Sequence, residues 1–156
     1  MAQLITEGNI RIRGKRGNIL RFLQEELIPV YELRDHGWTL RMSRDPDTGP
    51  NIYFKGTDRH WIETDGEAFD VHFSGGAATK EDQVVCLDRY EGPWVTDYEF
   101  WKRKAMKHKV DIRIFSWSGK AWSSIQTWFR NGDVEETTRK YEDFLWDCPY
   151  PEFNEV

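Results

Sequence analysis

Cysteine is scarce in this chain. Its 156 residues hold two, Cys86 and Cys148, which make neither a disulfide framework nor a zinc site. Long apolar runs are missing. No stretch approaches the roughly 20 apolar residues of a membrane span. The opening MAQLITEGNIRIRG has no apolar run after its charges, so no signal peptide is expected and the default compartment is a reducing cytosol. Positive charge is also short. Lys and Arg number 22 against 27 acids, a net charge of -5. That argues against a general nucleic-acid coat, which needs surplus cations to displace counterions. A local basic site stays compatible with it. The Gly-Lys-Ser/Thr ending of a P-loop, the Gly-x-Ser-x-Gly elbow and the zinc-hydrolase helix are all missing.

What is present suits one soluble, folded α+β domain over residues 1–156. Hydrophobic residues are 38% and charged residues 31%, and the length suffices for a core without disulfides or metals. Aromatics reach 15%, with eight Trp. Rings of that size belong mostly in the core, and an excess can serve a recognition surface.

Period-two and period-3.6 patterns divide the chain. In GNIRIRG, Ile10 and Ile12 point one way, Arg11 and Arg13 the other, which predicts a half-buried strand. Gly14 to Gly17 breaks it. Asn18 is placed to cap the helix NILRFLQEELI, whose wide apolar face takes in Ile19, Leu20, Phe22, Leu23, Glu26 and Leu27. Pro29 stops it. WTLRM and NIYFK flank RDPDTGP, the pattern of a hairpin. HWIET, EAFDVHF and QVVCL read as further strands. Thr96-Asp97-Tyr98-Glu99 has the capping-box form and opens a second helix with Tyr98, Trp101, Ala105 and Met106 on one face. VDIRIFSW alternates Val110, Ile112 and Ile114 against Asp111, Arg113 and Ser116. KAWSSIQTWF is its expected antiparallel partner, and Asn131-Gly132 turns into DVEETT.

With that order in place, the chain resembles small proteins of bacterial mobile elements, phages and plasmids, that carry a YubB-like ferredoxin-like domain. The residues that carry the likeness are GNIRIRGKRGNILRFL, FKGTDRHWIET, and the end, where a strand pair and an Asn-Gly turn lead to Trp146-Asp147-Cys148-Pro149-Tyr150-Pro151. The resemblance implies a split βαβ antiparallel sheet with two helices on one face, inserted strands, and an extended C-terminal segment. It also implies a phage or plasmid context. It lends no site residues and no activity.

Candidate sites come from the residues. Lys15, Arg16, Asn18 and Arg21 lie at the expected N-terminus of the first helix, where free N–H groups and the helix dipole favour an anion. Lys102 and Arg103 begin a basic run that continues through Lys104, Lys107 and Lys109; such a run binds phosphates or is the wet face of a helix. With both helices on one side of the sheet, the two basic groups would share an electropositive region. The acidic, aromatic end offers Asp143, Trp146, Asp147 and Tyr150 as a partner surface or as a layer of the fold. Two-histidine phosphodiesterases need a pair of His-x-Ser/Thr motifs. His72-Phe73-Ser74 supplies one and His60-Trp61-Ile62 does not. His60 and His72 with Asp58, Glu63 and Asp70 would hold a metal only if they converged. Cys86 reads as core, and Asp147 beside Cys148 opposes thiolate formation.

The expectation is therefore a non-catalytic cytoplasmic binding protein of a mobile element, with no cofactor and no metal. It would inhibit a host antiviral defence protein or sequester a nucleotide signal. A nucleic-acid or nucleotide module is the first alternative, and a metal-free phosphodiesterase the second. A second copy of the chain is an allowed partner, and a membrane is not expected.

Overall fold

The structure, a computed structural model, describes residues 5–28, 32–37, 39–43, 51–57, 59–64, 68–73, 82–93, 97–118, 123–130 and 132–140. In chain order the elements are β1 (Ile5–Lys15), α1 (Arg16–Glu26), β2 (Leu27–Ile28), β3 (Glu32–Asp35), β4 (Thr39–Ser43), β5 (Asn51–Phe54), β6 (Trp61–Glu63), β7 (Ala68–His72), β8 (Asp82–Pro93), α2 (Tyr98–His108), β9 (Asp111–Ser118), β10 (Ser123–Arg130) and β11 (Asp133–Lys140). The chain is α+β. Among the described residues, two helices pack on sheets whose strand pairings are all antiparallel.

The large sheet has the order β11-β10-β9-β1-β8-β6-β5-β2. Strand β1 sits near its middle because its alternation gives it two faces to use. Ile10 and Ile12 are fully buried on one face, opposite Leu87 and Val85 of β8 and Ile114 and Ile112 of β9. Strands β8 and β9 are both antiparallel to β1, hence parallel to each other, and α2 connects them across it. Both helices lie on the isoleucine side. Helix α1 buries Ile19, Phe22, Leu23 and Glu26; α2 buries Trp101, Lys104, Ala105 and His108. They touch through the rings of Phe22 and His108, 5.3 Å apart. Each large apolar side chain sealed here contributes about 1.5–3 kcal/mol.

The second sheet, β3-β4-β7, adjoins the first along β8. The far edge of β8 pairs with β6 at Tyr90 and Glu91, and Phe73, just after β7, bridges to Val85. One strand edge thus serves two sheets. Near the fork, β8 sets Asp88 and Arg89 against the single residue Asn9 of β1, and Arg89 has φ 60. That bulge increases the local twist, which lets the sheets diverge.

Several expectations change. Strand β1 does not break at Gly14. Gly14 and Lys15 continue the ladder opposite Gln83 and Asp82, and α1 begins directly at Arg16. Asn18 lies inside α1, not at its cap, and its Oδ1 accepts a hydrogen bond from Arg21 at 2.7 Å. The expected hairpin of WTLRM and NIYFK does not form. Strand β4 pairs with β3 and β7, whereas β5 pairs with β6 and β2. A period of two identifies a strand but not its partner. The apolar face of α2 is rotated: Tyr98 and Met106 are exposed, and Lys104 and His108 are buried in their place. Ser116 shares the buried side of Ile114. Strands β9, β10 and β11 pair in the expected sequence, with Gly132 at φ +80 in the last turn. Thr96, Asn131, the RDPDTGP turn and the C-terminal segment with Asp143, Trp146, Asp147 and Tyr150 lie outside the described residues.

Gly8 provides a test of this packing. A Cβ there would strike the Phe115 carbonyl of β9, so Gly8→Ala forces the backbones apart. The expected loss is about 1–3 kcal/mol, read as a lower thermal midpoint by circular dichroism. An unchanged midpoint would refute the close approach of β1 to β9.

Candidate functional site

Among the described residues, polar side chains gather in three clusters relevant to function. The first joins the helices. Glu26 ends α1 on its buried face. Its Oε1 accepts from Lys104 Nζ at 2.8 Å, and its Oε2 lies 3.1 Å from His108 Nε2. Lys104 also donates to the Lys55 carbonyl at 2.8 Å and stands 4.6 Å from the centre of the Phe100 ring. Burial pushes the Glu26 carboxyl up, but the hydrogen bonds from Lys104 and His108 more than offset it and hold the group below its ordinary value. This is a closed ionic joint.

The second surrounds His60. Its Nδ1 is 2.7 Å from the Tyr90 hydroxyl. Its ring lies nearly parallel to those of Tyr90 and Phe100, with centroids at 6.1 and 5.2 Å. Trp101 meets it edge-on at 5.3 Å. Gly92 makes the room, since a Cβ there would hit the Tyr90 hydroxyl. Burial pushes His60 down to about 4 and raises the Tyr90 hydroxyl well above its usual range. The result is a neutral imidazole, 1% exposed, packed inside an aromatic box and withdrawn from solvent.

The other sequence candidates separate from it. His72 is exposed on β7, with Nδ1 3.1 Å from Thr39 Oγ1, and belongs to the other sheet. Among the described residues no group of His, Cys, Asp and Glu is placed to hold a metal ion. The Cys86 thiol donates to Asp88 at 3.3 Å, and burial pushes it up to about 12, so it is no thiolate at neutral pH.

The expected anion site at the start of α1 is not assembled as one group. Arg16 donates to Asp35, to the Gly37 carbonyl and to Gln83 at 3.0 Å, and lies 4.1 Å over the Phe73 ring. It fastens the small sheet to the large one. Lys15 closes β1, and Arg21 is engaged with Asn18. The basic run of α2 is split. Lys104 is buried, Lys107 lies 3.7 Å from both Glu25 and Glu26, and Arg103 is exposed. The acids of α1 therefore answer part of that run, and the helices share no continuous basic region. Lys102 faces elsewhere.

The third cluster is open. A cleft of about 330 Å³ lies between the second half of α2, the start of β9 and the β10–β11 turn. Ala105, Met106, Val110 and Phe129 form its apolar wall; Lys102, Lys109 and Arg130 stand around it with Asp111 and Asp133. Asp111 is engaged by Arg13 at 2.8 Å. Arg130 is 3.6 Å from Glu135 and stacks 4.6 Å over Trp128. Among the described residues, Lys102 and Lys109 enter no ion pair. Lys109 caps α2 in the left-handed conformation at φ 54, its N–H reaching the Ala105 and Met106 carbonyls. Lys102 was expected from the sequence. Met106, Phe129 and Arg130 were not, because the wall joins segments far apart in the chain. Comparisons with protein-family models, curated proteins and solved structures returned no match.

Two measurements check these assignments. The unfolded His60 titrates near 6.5 and the folded one near 4. Between those values the unfolded chain binds more protons, so stability is complete above pH 6.5 and falls as pH drops towards 4. The expected loss is on the order of 3 kcal/mol, seen in urea midpoints, and His60→Phe should flatten the slope between pH 6.5 and 5. An equal slope in the variant would refute the burial of His60. For the ionic joint, Glu26→Gln strands a buried ammonium and should cost about 3–5 kcal/mol. The pair Glu26→Leu with Lys104→Met should recover most of that loss; additive losses would contradict the joint.

Proposed function

We propose that this chain is a non-catalytic binding protein that takes an anionic, nucleotide-sized ligand in the α2–β10 cleft. One observation carries the reading. The cleft pairs an apolar wall at Met106 and Phe129 with Lys102 and Lys109, two cations that no described carboxylate engages. An aromatic or apolar ligand body suits the wall, and a phosphate suits the rim.

Two effects oppose it. The Asp133 carboxylate lines the same cleft and repels an anion. The cleft lies at the C-terminal, negative end of the α2 dipole, a cost to an anion of about 0.3–1 kcal/mol. Lys102 and Lys109, which no described carboxylate engages, each return about 0.2–1 kcal/mol and offset the dipole. Salt should weaken such binding.

We read the core as an elaborated ferredoxin-like arrangement. The order β9-β1-β8-β6 with both helices on one side supports this, with β2–β5, β7, β10 and β11 as additions. The resemblance adds a mobile-element context in a bacterial cytoplasm. Of the two roles that context suggests, sequestering a nucleotide signal fits the cleft better than inhibiting a defence protein.

The test is a titration of the full chain with mononucleotides, dinucleotides and cyclic nucleotides, followed by tryptophan fluorescence at low and moderate salt. Binding of one class, weakened tenfold or more by Lys102→Glu with Lys109→Glu (about 1.4 kcal/mol), is the expected result. No binding by any of them, with a host protein recovered stoichiometrically from bacterial lysate, would replace this reading by the inhibitor one.

A further inference from the structure

The large sheet ends differently at its two edges. At one stands β2, two residues long; at the other stands β11, eight residues long. Strand β11 pairs with β10 from Asp133 to Lys140 without a bulge. Among the described residues no strand lies on its far side. It contains no proline and no glycine. Edges are commonly blunted by shortness, proline or a bulge, because a row of unpaired N–H and C=O groups is a template for another strand. Charge is the guard that remains on β11, and it is ordered along the strand. Asp133, Glu135 and Glu136 come first, and Arg139 and Lys140 come last.

We propose that β11 pairs antiparallel with β11 of a second copy of this chain, joining the two large sheets across a twofold axis. The order of charge selects that partner. A parallel, in-register copy would set acid on acid and base on base, which repels. An antiparallel copy sets the acidic half of each strand against the basic half of the other.

Symmetry and parity then fix the register. An axis perpendicular to the sheet keeps the helix-bearing face of one copy level with that of the other. Residues that stand opposite each other must share a face, so their numbers have equal parity. Two such registers overlap most of the strand. One centres on Glu136 and sets that residue against its own copy. The other centres on Thr137. It sets Glu135 opposite the partner's Arg139, Glu136 opposite the partner's Thr138, Val134 opposite the partner's Lys140, and Thr137 opposite the partner's Thr137. Asp133 and Glu136 are then diagonal to the partner's Arg139 and the partner's Lys140. Opposite charges and Thr–Thr pairs across strands stabilise, and like charges oppose, so Thr137 lies on the axis.

The described side chains suit this pairing. Glu135 is exposed, and Arg130 approaches it only to 3.6 Å, so its carboxylate has capacity for a second cation. Tyr98 reaches the same edge from α2. Its hydroxyl donates to Glu136, and its ring is 40% exposed. Glu136 is next to the axis, so pairing brings the second copy beside an exposed aromatic ring.

Sedimentation of the full chain should show a concentration-dependent dimer that weakens as salt rises. Glu135→Arg and Arg139→Glu should each weaken it about tenfold or more, because each turns both symmetry-related attractions into repulsions. Mixing the two variants should restore a one-to-one dimer, since position 135 of each copy then meets the opposite charge at position 139 of the other. Far-ultraviolet dichroism of each variant separates loss of pairing from loss of fold. In a Cys148→Ser background, Thr137→Cys should cross-link chain to chain on oxidation. Residues facing each other on the axis stand about 4.5–5.5 Å apart, within disulfide reach. Glu136→Cys should not cross-link. Cross-linking at position 136 and not at 137 overturns the register and the charge argument with it. A monomer at every concentration overturns the pairing altogether, and slow amide exchange along the outer edge of β11 in that monomer would identify the chain's own remaining residues as its cover.

Discussion

The carboxylate of Glu26 is the joint on which the arrangement of helices depends. It binds the Lys104 ammonium at 2.8 Å and lies 3.1 Å from His108. The backbone tightens the same joint. The Glu26 carbonyl accepts from the Lys55 N–H at 2.8 Å, and the Lys55 carbonyl accepts from Lys104. Thus α1, the end of β5 and α2 meet at one residue. A buried ionic group of this kind adds little net stability over an apolar core, but breaking half of it is costly. What it fixes is rotation. With Lys104 and His108 turned inward, a residue two positions along the helix points about 200° away. Met106 is therefore directed outward, and the cleft wall exists because the joint is buried.

The second constraint is the divided edge of β8. A flat strand would offer its whole length to one neighbour. The bulge at Asp88 and Arg89 bends it, so β6 takes one part and the end of β7 meets another. Arg16 then holds the small sheet in place through Asp35 and the Gly37 carbonyl. A residue that looked like part of an anion site is occupied by this task. Basic residues at a helix start are free for a ligand only if the fold leaves no carboxylate opposite them.

Much of the architecture was legible because strand and helix periods are local. Ile10 and Ile12, Ile112 and Ile114, and the β10–β11 turn follow from spacing alone. Partner choice is not local, and so β4 and β5 looked like a hairpin while pairing in different sheets. Glu26 fell on the apolar face of α1 in the sequence itself, and Lys104 and His108 stand one turn apart beside Trp101. An acid on one buried face and two bases on another were a readable sign of an ionic joint. The α2–β10 cleft was half legible. Lys102 belongs to a visible basic run, whereas Phe129 and Arg130 reach the site only through the crossover from β8 to β9 and the hairpin that follows.

The net charge of -5 describes the sum and hides the distribution. Arg11, Arg13 and Arg113 are gathered on the face opposite the helices, and Lys102, Lys109 and Arg130 around the cleft. Trp128 lies between the two groups, with Arg13 at 5.8 Å and Arg130 at 4.6 Å from its ring centre. Arg13 is answered by Asp111 at 2.8 Å and Arg130 faces Glu135 at 3.6 Å, whereas no described carboxylate engages Lys102 or Lys109. A basic residue offers its charge to a ligand only where the fold has not already engaged it with an acid of the chain, and in the described residues that condition is met beside the cleft.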